Sequence, residues 1–371
     1  MKMRIVVDKT VPFLQGIVED FAEVVYLQSQ EFTPEAIHDA DALIVRSVDK
    51  CSKVLLKNSR VKLITSATIG FDHIDTAFCE EKGIVWKNAP GCNAVSVAQY
   101  VISSLIAVAQ RKEEPLQGKT IGIIGLGHVG QEVEKVCSAF GMNILRNDPP
   151  RAKFEEDKDY VSLDIIAEKA DVITIHTPLT GEGRYATYHL INDSFLNKLK
   201  RKPWYINAAR GAVNDTAALL KAKYYGKVGE LIIDCWENEP TVNIELLKLA
   251  TIATPHIAGF SADGKANGTR ACLENIASFF NLKSVRVADV KPLSPDESII
   301  DMDIFGNNRL ERAVFHCFKP LLIDEAMRLM PERFEWFRSY YAHPREFHAY
   351  TIKNATSQEA AVLQNLGFNI M

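Results

Sequence analysis

The 371-residue sequence is first defined by what it lacks. It has no C-x-x-C pair; its seven cysteines stand scattered at 51, 79, 92, 137, 235, 272 and 317. That spacing argues against a disulfide framework and suits buried thiols in a reducing cytosol. No metal site is expected. No signal peptide is expected ahead of the first strand. The longest apolar run, near Tyr100–Ala109, is read as too short to span a bilayer, and it contains Ser103 and Ser104. A cytoplasmic chain with no membrane partner is the expectation. There is no basic block or aromatic-basic run, and the net charge is −4, which argues against a nucleic-acid partner. Internal repeats and low-complexity tracts are also missing. What remains has the composition of a globular protein, long enough for two or three domains that each bury a core.

The most informative stretch runs from Thr120 to Asp148. Ile121, Ile123 and Ile124 read as a short buried strand. Gly125, Gly127 and Gly130 then spell G-x-G-x-x-G, and Val133, Val136, Cys137 and Phe140 follow at helical spacing. Gly141 stops that helix, Asn143–Leu145 is a second strand, and Asp148 closes the unit. Each part suits a dinucleotide: Gly125 permits the turn, Gly127 admits the pyrophosphate, and Gly130 lets helix and strand approach. The free N–H groups and dipole of the helix start hold phosphate charge. Asp148 lies 18 residues beyond Gly130, where an acid binds the ribose hydroxyls and repels a 2′-phosphate. NAD is therefore favoured over NADP. His128 and Val129 fall inside the turn and join the expected cofactor contacts, with the His128 side chain reading as solvated.

Upstream, Arg4–Val7, Val24–Leu27, Ala42–Val45 and Leu63–Ser66 read as strands separated by helical patterns at Pro34–His38 and Ser52–Leu56. Such alternation implies a parallel sheet, with ligands beyond the carboxyl ends of its strands. Arg46 and Ser47 follow the third strand and Thr68 the fourth. Their hydroxyls and guanidinium suit an anionic, oxygen-rich substrate, although turn chemistry explains the same residues equally well. Asp72–Asp75 reads as a helix cap rather than a site. Helices at Ala94–Arg111 and Ala262–Phe280 read as connectors forming a paired hinge between domains.

Downstream, strands end at four places that carry chemistry: His176-Thr177-Pro178, Asn207-Ala208-Ala209-Arg210-Gly211, Asp234 to Glu239-Pro240, and Pro255-His256-Ile257-Ala258-Gly259. Alcohol–ketone oxidation needs a base near neutral pH, a carboxylate to hold it, and a cation for substrate carboxylate and carbonyl. His256, Glu239 and Arg210 fit those roles. Singly, each is more often structural; together, after a dinucleotide turn, they form a set.

The runs G-L-G-H-V-G, H-T-P-L, N-A-A-R-G, D-C-W-E-N-E-P and T-P-H-I-A-G, spread over about 95–260, resemble the D-isomer-specific 2-hydroxyacid dehydrogenases. The resemblance implies an α/β fold: a Rossmann-type NAD-binding domain, 93–256, inserted in a flavodoxin-like substrate domain, 1–92 and 257–284. A small C-terminal α+β dimerisation domain, 285–371, would make the protein a homodimer. It implies Arg210, Glu239 and His256 as the catalytic set. NAD contacts are implied at Asp148, Thr177, Asp234 and Gly259, with Ala208, Ala209 and Arg210 beside them, and substrate contacts at Ser47 and Thr68. Phe260 stands where a substrate-touching tyrosine is expected, and Ala209 where cysteine is common. V-R-S-V at 45–48 and A-P-G-C-N-A at 89–94, with the C-terminal extension, point to a small phosphorylated 2-hydroxy acid as substrate. Arg345 is a candidate to reach its phosphate across the dimer. The alternatives are a 3-phosphoglycerate or glyoxylate type of dehydrogenase, or an NAD-sensing corepressor-like protein; the intact Arg–Glu–His set weighs against the last.

Overall fold

Runs such as Ala42–Val45 and Val172–Ile175 are buried along their whole length, as parallel strands covered by helices on both faces must be. The computed structural model describes residues 3–155 and 159–371. The chain forms two units, one of Met1–Asn93 with Ser261–Leu293, the other of Ala94–Phe260 with Ser294–Met371.

In the first unit β1 (Met3–Asp8), β2 (Ala22–Leu27), β3 (Ala42–Val45), β4 (Leu63–Ser66) and β5 (Val85–Lys87) lie in the order β2-β1-β3-β4-β5, all parallel. This is the flavodoxin-type order, whose switch point falls between β1 and β3. One face packs Ile5, Val7, Ile44 and Leu63 against Ala266, Leu273 and Ile276 of the helix Ala262–Phe279. The other packs Val6, Leu43, Val45 and Ile64 against Ile37, Leu55, Leu56 and Phe78. Sequence periodicity missed β5 and the helix Thr76–Lys82, both too short to show a pattern. Asp75 does cap that helix, its Oδ1 accepting from Phe78 N at 3.0 Å.

In the second unit β6 (Thr120–Ile124), β7 (Asn143–Asn147), β8 (Val172–Ile175), β9 (Trp204–Asn207), β10 (Leu231–Ile233) and β11 (Ile252–Ala253) pair in parallel in the order β11-β10-β9-β8-β6-β7. Beyond β7 there is a single bridge, Arg146 to Tyr160. The usual Rossmann order is thus kept, with its third strand shrunk to one residue. Pro149–Ala152 forms a helical turn; proline suits a first helical position, and Asp148 caps it.

The helix Ala94–Lys112, which begins where the chain passes from the first unit to this one, is a core element of this unit. Among the described residues it is the one helix long and apolar enough to cross a membrane, so the shorter run expected from sequence was an underestimate. Most of it is buried; Ser96 Oγ donates to Ala258 O at 2.8 Å and Tyr100 Oη meets Thr254 Oγ1 at 2.7 Å, while Ser103 Oγ and Ser104 Oγ are buried without a partner. The C-terminal segment packs into the same core through Ile300, Met302, Val314, Phe347 and Leu363. Its strands β12 (Ile299–Asp301), β13 (Thr351–Lys353) and β14 (Asn369–Ile370) are parallel. Its helices Arg309–Cys317 and Pro320–Leu329 are separate, because Pro320 cannot continue a helix but can start one.

Candidate active site

The glycine turn after β6 is fixed by close contacts. A Cβ on Gly130 would lie 2.0 Å from Gly125 O, so only glycine allows this approach. Leu126 N donates to Asp148 Oδ2 at 2.8 Å, and the Arg151 guanidinium donates to Leu126 O. Gly127 is the N-cap of the helix His128–Ala139, with no side-chain cap and open space where a Cβ would stand. His128 is exposed and Val129 half-buried. Nearby, Thr177 Oγ1 is buried without a hydrogen-bond partner, and its methyl carbon faces Gly125. An uncapped helix start, an open glycine cradle and an orphaned hydroxyl fit a dinucleotide. His176 is held neutral by burial, which pushes it down to about 3; its Nε2 meets Thr174 Oγ1 at 2.9 Å.

The ends of β10 and β11 bring His256 and Glu239 together: Nδ1–H of His256 donates to Glu239 Oε1 at 2.6 Å. That leaves Nε2 to carry the lone pair. The His256 backbone is left-handed, φ 55°, as is Asn238 at φ 64°, a conformation that costs a residue with a Cβ energy. Asp234 enforces the turn. Its buried Oδ1 accepts from Thr254 Oγ1 and Ile257 N, its Oδ2 from Ala258 N, and its carbonyl from His256 N. Burial drives the Asp234 carboxyl upward, against the pull of His256 and these bonds. Glu239 also accepts from Trp236 N at 3.2 Å, and despite burial it stays below the usual carboxylate range through His256 and Arg338.

Arg210 stands on a loop locked to the Glu239 loop. Asn207 Oδ1 accepts from Ala209 N, and Asn207 Nδ2 donates to Arg210 O at 3.0 Å. A Cβ on Gly211 would lie 2.0 Å from Trp236 C and O. The Arg210 guanidinium donates to Ala209 O. A further tie escaped sequence reasoning: His189 Nε2 meets Glu237 Oε1 at 2.6 Å, and Glu237 Oε2 accepts from Thr216 N. It joins the loop after Thr177 to the loop of Glu239 across 48 residues, a span no local pattern marks. Ala208 and Gly259 are half-buried at their strand ends, Ala209 is buried, and Phe260 N bonds to Ile257 O. Cys235 is a buried thiol, pushed far above its ordinary range, and donates to Ala209 O.

In the first unit, the switch point holds Arg46, whose Nε donates to the buried Asp8 Oδ2 at 3.0 Å. Asp8, unread in the sequence, thereby aims the guanidinium. Ser47 is exposed and lines a cavity of about 390 Å³ with Lys50, Asp72 and His73. Thr68 Oγ1 donates to Gly70 O at 3.0 Å and meets Ser66 Oγ at 2.8 Å; His73 Nε2 meets the same Ser66. Burial pushes His73 down to about 4, so it serves this network as a neutral ring.

Over 367 residues the chain is 48% identical to erythronate-4-phosphate dehydrogenase of Porphyromonas gingivalis, covering 99% of this chain and 100% of that one. The chain belongs to the erythronate-4-phosphate dehydrogenase family. A second relative, from Bacteroides thetaiotaomicron, is 45% identical over 351 residues, 94% of this chain and 99% of that one. Residues 98–258 match the family described as D-isomer specific 2-hydroxyacid dehydrogenase, NAD binding domain. Among solved structures, NAD-bound 3-phosphoglycerate dehydrogenase of Entamoeba histolytica superposes with a TM-score of 0.65 at 30% identity, over 77% of this chain and 98% of that one. The chain is thus an NAD-dependent dehydrogenase of this family, with NAD as its cofactor.

Proposed function

We infer that the chain oxidises 4-phospho-D-erythronate to (R)-3-hydroxy-2-oxo-4-phosphobutanoate with NAD, a step of pyridoxal 5′-phosphate biosynthesis. The observation that carries the reading is the 2.6 Å contact between His256 Nδ1 and Glu239 Oε1 at the strand ends of an NAD-binding sheet. Bound NAD supplies the acceptor for the hydride leaving C2. Nε2 of His256 takes the hydroxyl proton as the carbonyl forms. Glu239 keeps the ring oriented and favours its protonated state. Arg210 clamps the substrate carboxylate and polarises the carbonyl oxygen.

The turn Gly125, Gly127, His128, Val129 and Gly130 is assigned to the pyrophosphate. Asp148 is assigned to the ribose hydroxyls, its carboxylate keeping lone pairs beyond those used by Leu126 and Arg151. The remaining NAD contacts are assigned to Thr177, Ala208, Ala209, Arg210, Asp234 and Gly259. Asp234 has both oxygens engaged by its own turn, so its place in that set rests on resemblance. Arg46, Ser47, Thr68 and Phe260 are assigned to the substrate. The domain reading keeps 93–256 for NAD, 1–92 with 257–284 for substrate, and 285–371 for homodimerisation. Exposed Ile304, Leu322, Leu329 and Tyr340 support that last role, and seven free cysteines support a reducing cytoplasm.

NADH formation on a panel of 4-phospho-D-erythronate, 3-phosphoglycerate and glycolate tests the substrate. The highest kcat/KM is expected on 4-phospho-D-erythronate; a higher value on 3-phosphoglycerate would move the enzyme to its relatives' reaction.

A further inference from the structure

The C-terminal segment reaches the loop that follows His256 within its own unit. The short helix Phe334–Ser339 buries Phe334 and carries Arg338, whose side chain is only 18% exposed. The Arg338 guanidinium carbon lies 5.7 Å from the centre of the Phe260 ring and 6.0 Å from that of Phe334. Phe260 closes the His256 turn and is flanked on another side by Tyr341 and His343, at 6.5 and 6.0 Å between ring centres. The charge of Arg338 acts on Glu239 and on Cys235. Its ion-pair partner is Glu335, at 3.3 Å and 56% exposed, while its Nε is buried with no acceptor. An exposed pair of that kind is weak, and a buried N–H without a partner is unfavourable. Apart from its contacts with the Phe260 and Phe334 rings, the guanidinium gains little stability from this placement.

We propose that Arg338 is a positioning residue of the His256–Glu239 pair, supplied by the C-terminal segment, which keeps Glu239 ionised and turned toward Nδ1 of His256. Glu239 sits where burial alone favours its neutral form. A neutral carboxyl would no longer fix the imidazole with its proton on Nδ1 and its lone pair on Nε2. The charged and titratable groups facing the pair are Asp234, Cys235, Arg210, Arg338 and, against Asp234, Tyr341. Arg338 and Arg210 are the cations among these, and Arg210 is already assigned to the substrate carboxylate. The C-terminal segment would then tune the chemistry as well as any assembly it mediates.

The inference rests on the reading of His256 as base, and the test separates the two. Arg338→Met keeps an apolar side chain against Phe260 and Phe334 without the charge; Arg338→Lys restores charge, and Arg338→Gln serves if methionine impairs folding. In full-length protein, the charge-free variant should lower kcat about tenfold with KM for both substrates within about twofold. Its acid limb should move to higher pH, as loss of the cation lets Glu239 take up a proton earlier, and the lysine variant should return the limb toward wild type. The strongly bonded Nδ1–H of His256, followed by proton NMR, should persist to lower pH in wild type than in Arg338→Met, and this readout needs no turnover. An unshifted pH profile and resonance would overturn the inference. So would a raised KM with kcat kept, which would make Arg338 a substrate ligand. Wild-type protein that turns over no hydroxy acid would overturn the parent reading instead, leaving the resonance to decide this one.

Discussion

Both units are doubly wound parallel sheets, yet they treat the polar groups at their strand ends differently. In the first, Arg46 is bonded to Asp8, Thr68 to Gly70 and Ser66, and His73 to Ser66, on ordinary backbone. In the second, His256 and Asn238 sit on left-handed backbone, and Thr177 Oγ1 and the Nε of Arg338 are buried without partners. Strain and unmet hydrogen bonds each cost about 1–3 kcal/mol. They persist where something outside the chain completes the site. The architecture is built twice; the first copy keeps an orphaned oxygen, Asp49 Oδ1, on the Arg46 turn, and the left-handed backbone of His256 and Asn238 belongs to the second.

Acid offers the largest lever on this contrast. Burial holds His176 down at about 3 and His73 at about 4, against the ordinary imidazole value of about 6.5. Both are depressed, so the unfolded chain takes up protons first. Their contribution is complete above the unfolded value and is lost as pH falls from there toward the folded values. At about 1.36 kcal/mol per pKa unit the loss is roughly 5 kcal/mol for the second unit and roughly 3 for the first. Urea unfolding at stepped pH should show the second unit failing first, and His176→Asn should flatten its pH dependence more than His73→Asn flattens that of the first.

Matched glycines sharpen the comparison. A Cβ at Gly211 would lie 2.0 Å from Trp236 backbone, and one at Gly268 would lie 2.4 Å from Ala67 O. Each alanine substitution should cost about 1–3 kcal/mol in thermal unfolding. Gly211→Ala, which shifts the Arg210 and Glu239 loops, should also lower kcat about 100-fold. Gly268→Ala, beside Thr68, should raise the substrate KM with kcat nearly unchanged. Equal effects on kcat would erase the division of labour. A smaller effect, about tenfold on KM for NAD with little change in stability, is expected of Thr177→Val, since the hydroxyl it removes has no partner within the protein.

Much of this was legible in sequence, for physical reasons. Buried parallel strands are short apolar runs, so Ala42–Val45 and Leu63–Ser66 could be read to the residue. G-x-G-x-x-G declares its geometry because only glycine tolerates it. What stayed hidden depends on contacts between distant residues. Asp8 gives no sign of aiming Arg46, and His189 none of meeting Glu237. Nothing local in Phe334–Ser339 places Arg338 over the Phe260 ring. β5 and β12 are three-residue strands without a buried apolar run to mark them.

Single-turnover formation of NADH by His256→Asn, with 4-phospho-D-erythronate and NAD both saturating, tests the central claim most directly. Loss of the base should slow the hydride step by roughly 10³–10⁴-fold while the first unit still binds substrate with near wild-type affinity. A single-turnover rate within tenfold of wild type would mean that the proton leaves by another route and that the His256–Glu239 pair is structural.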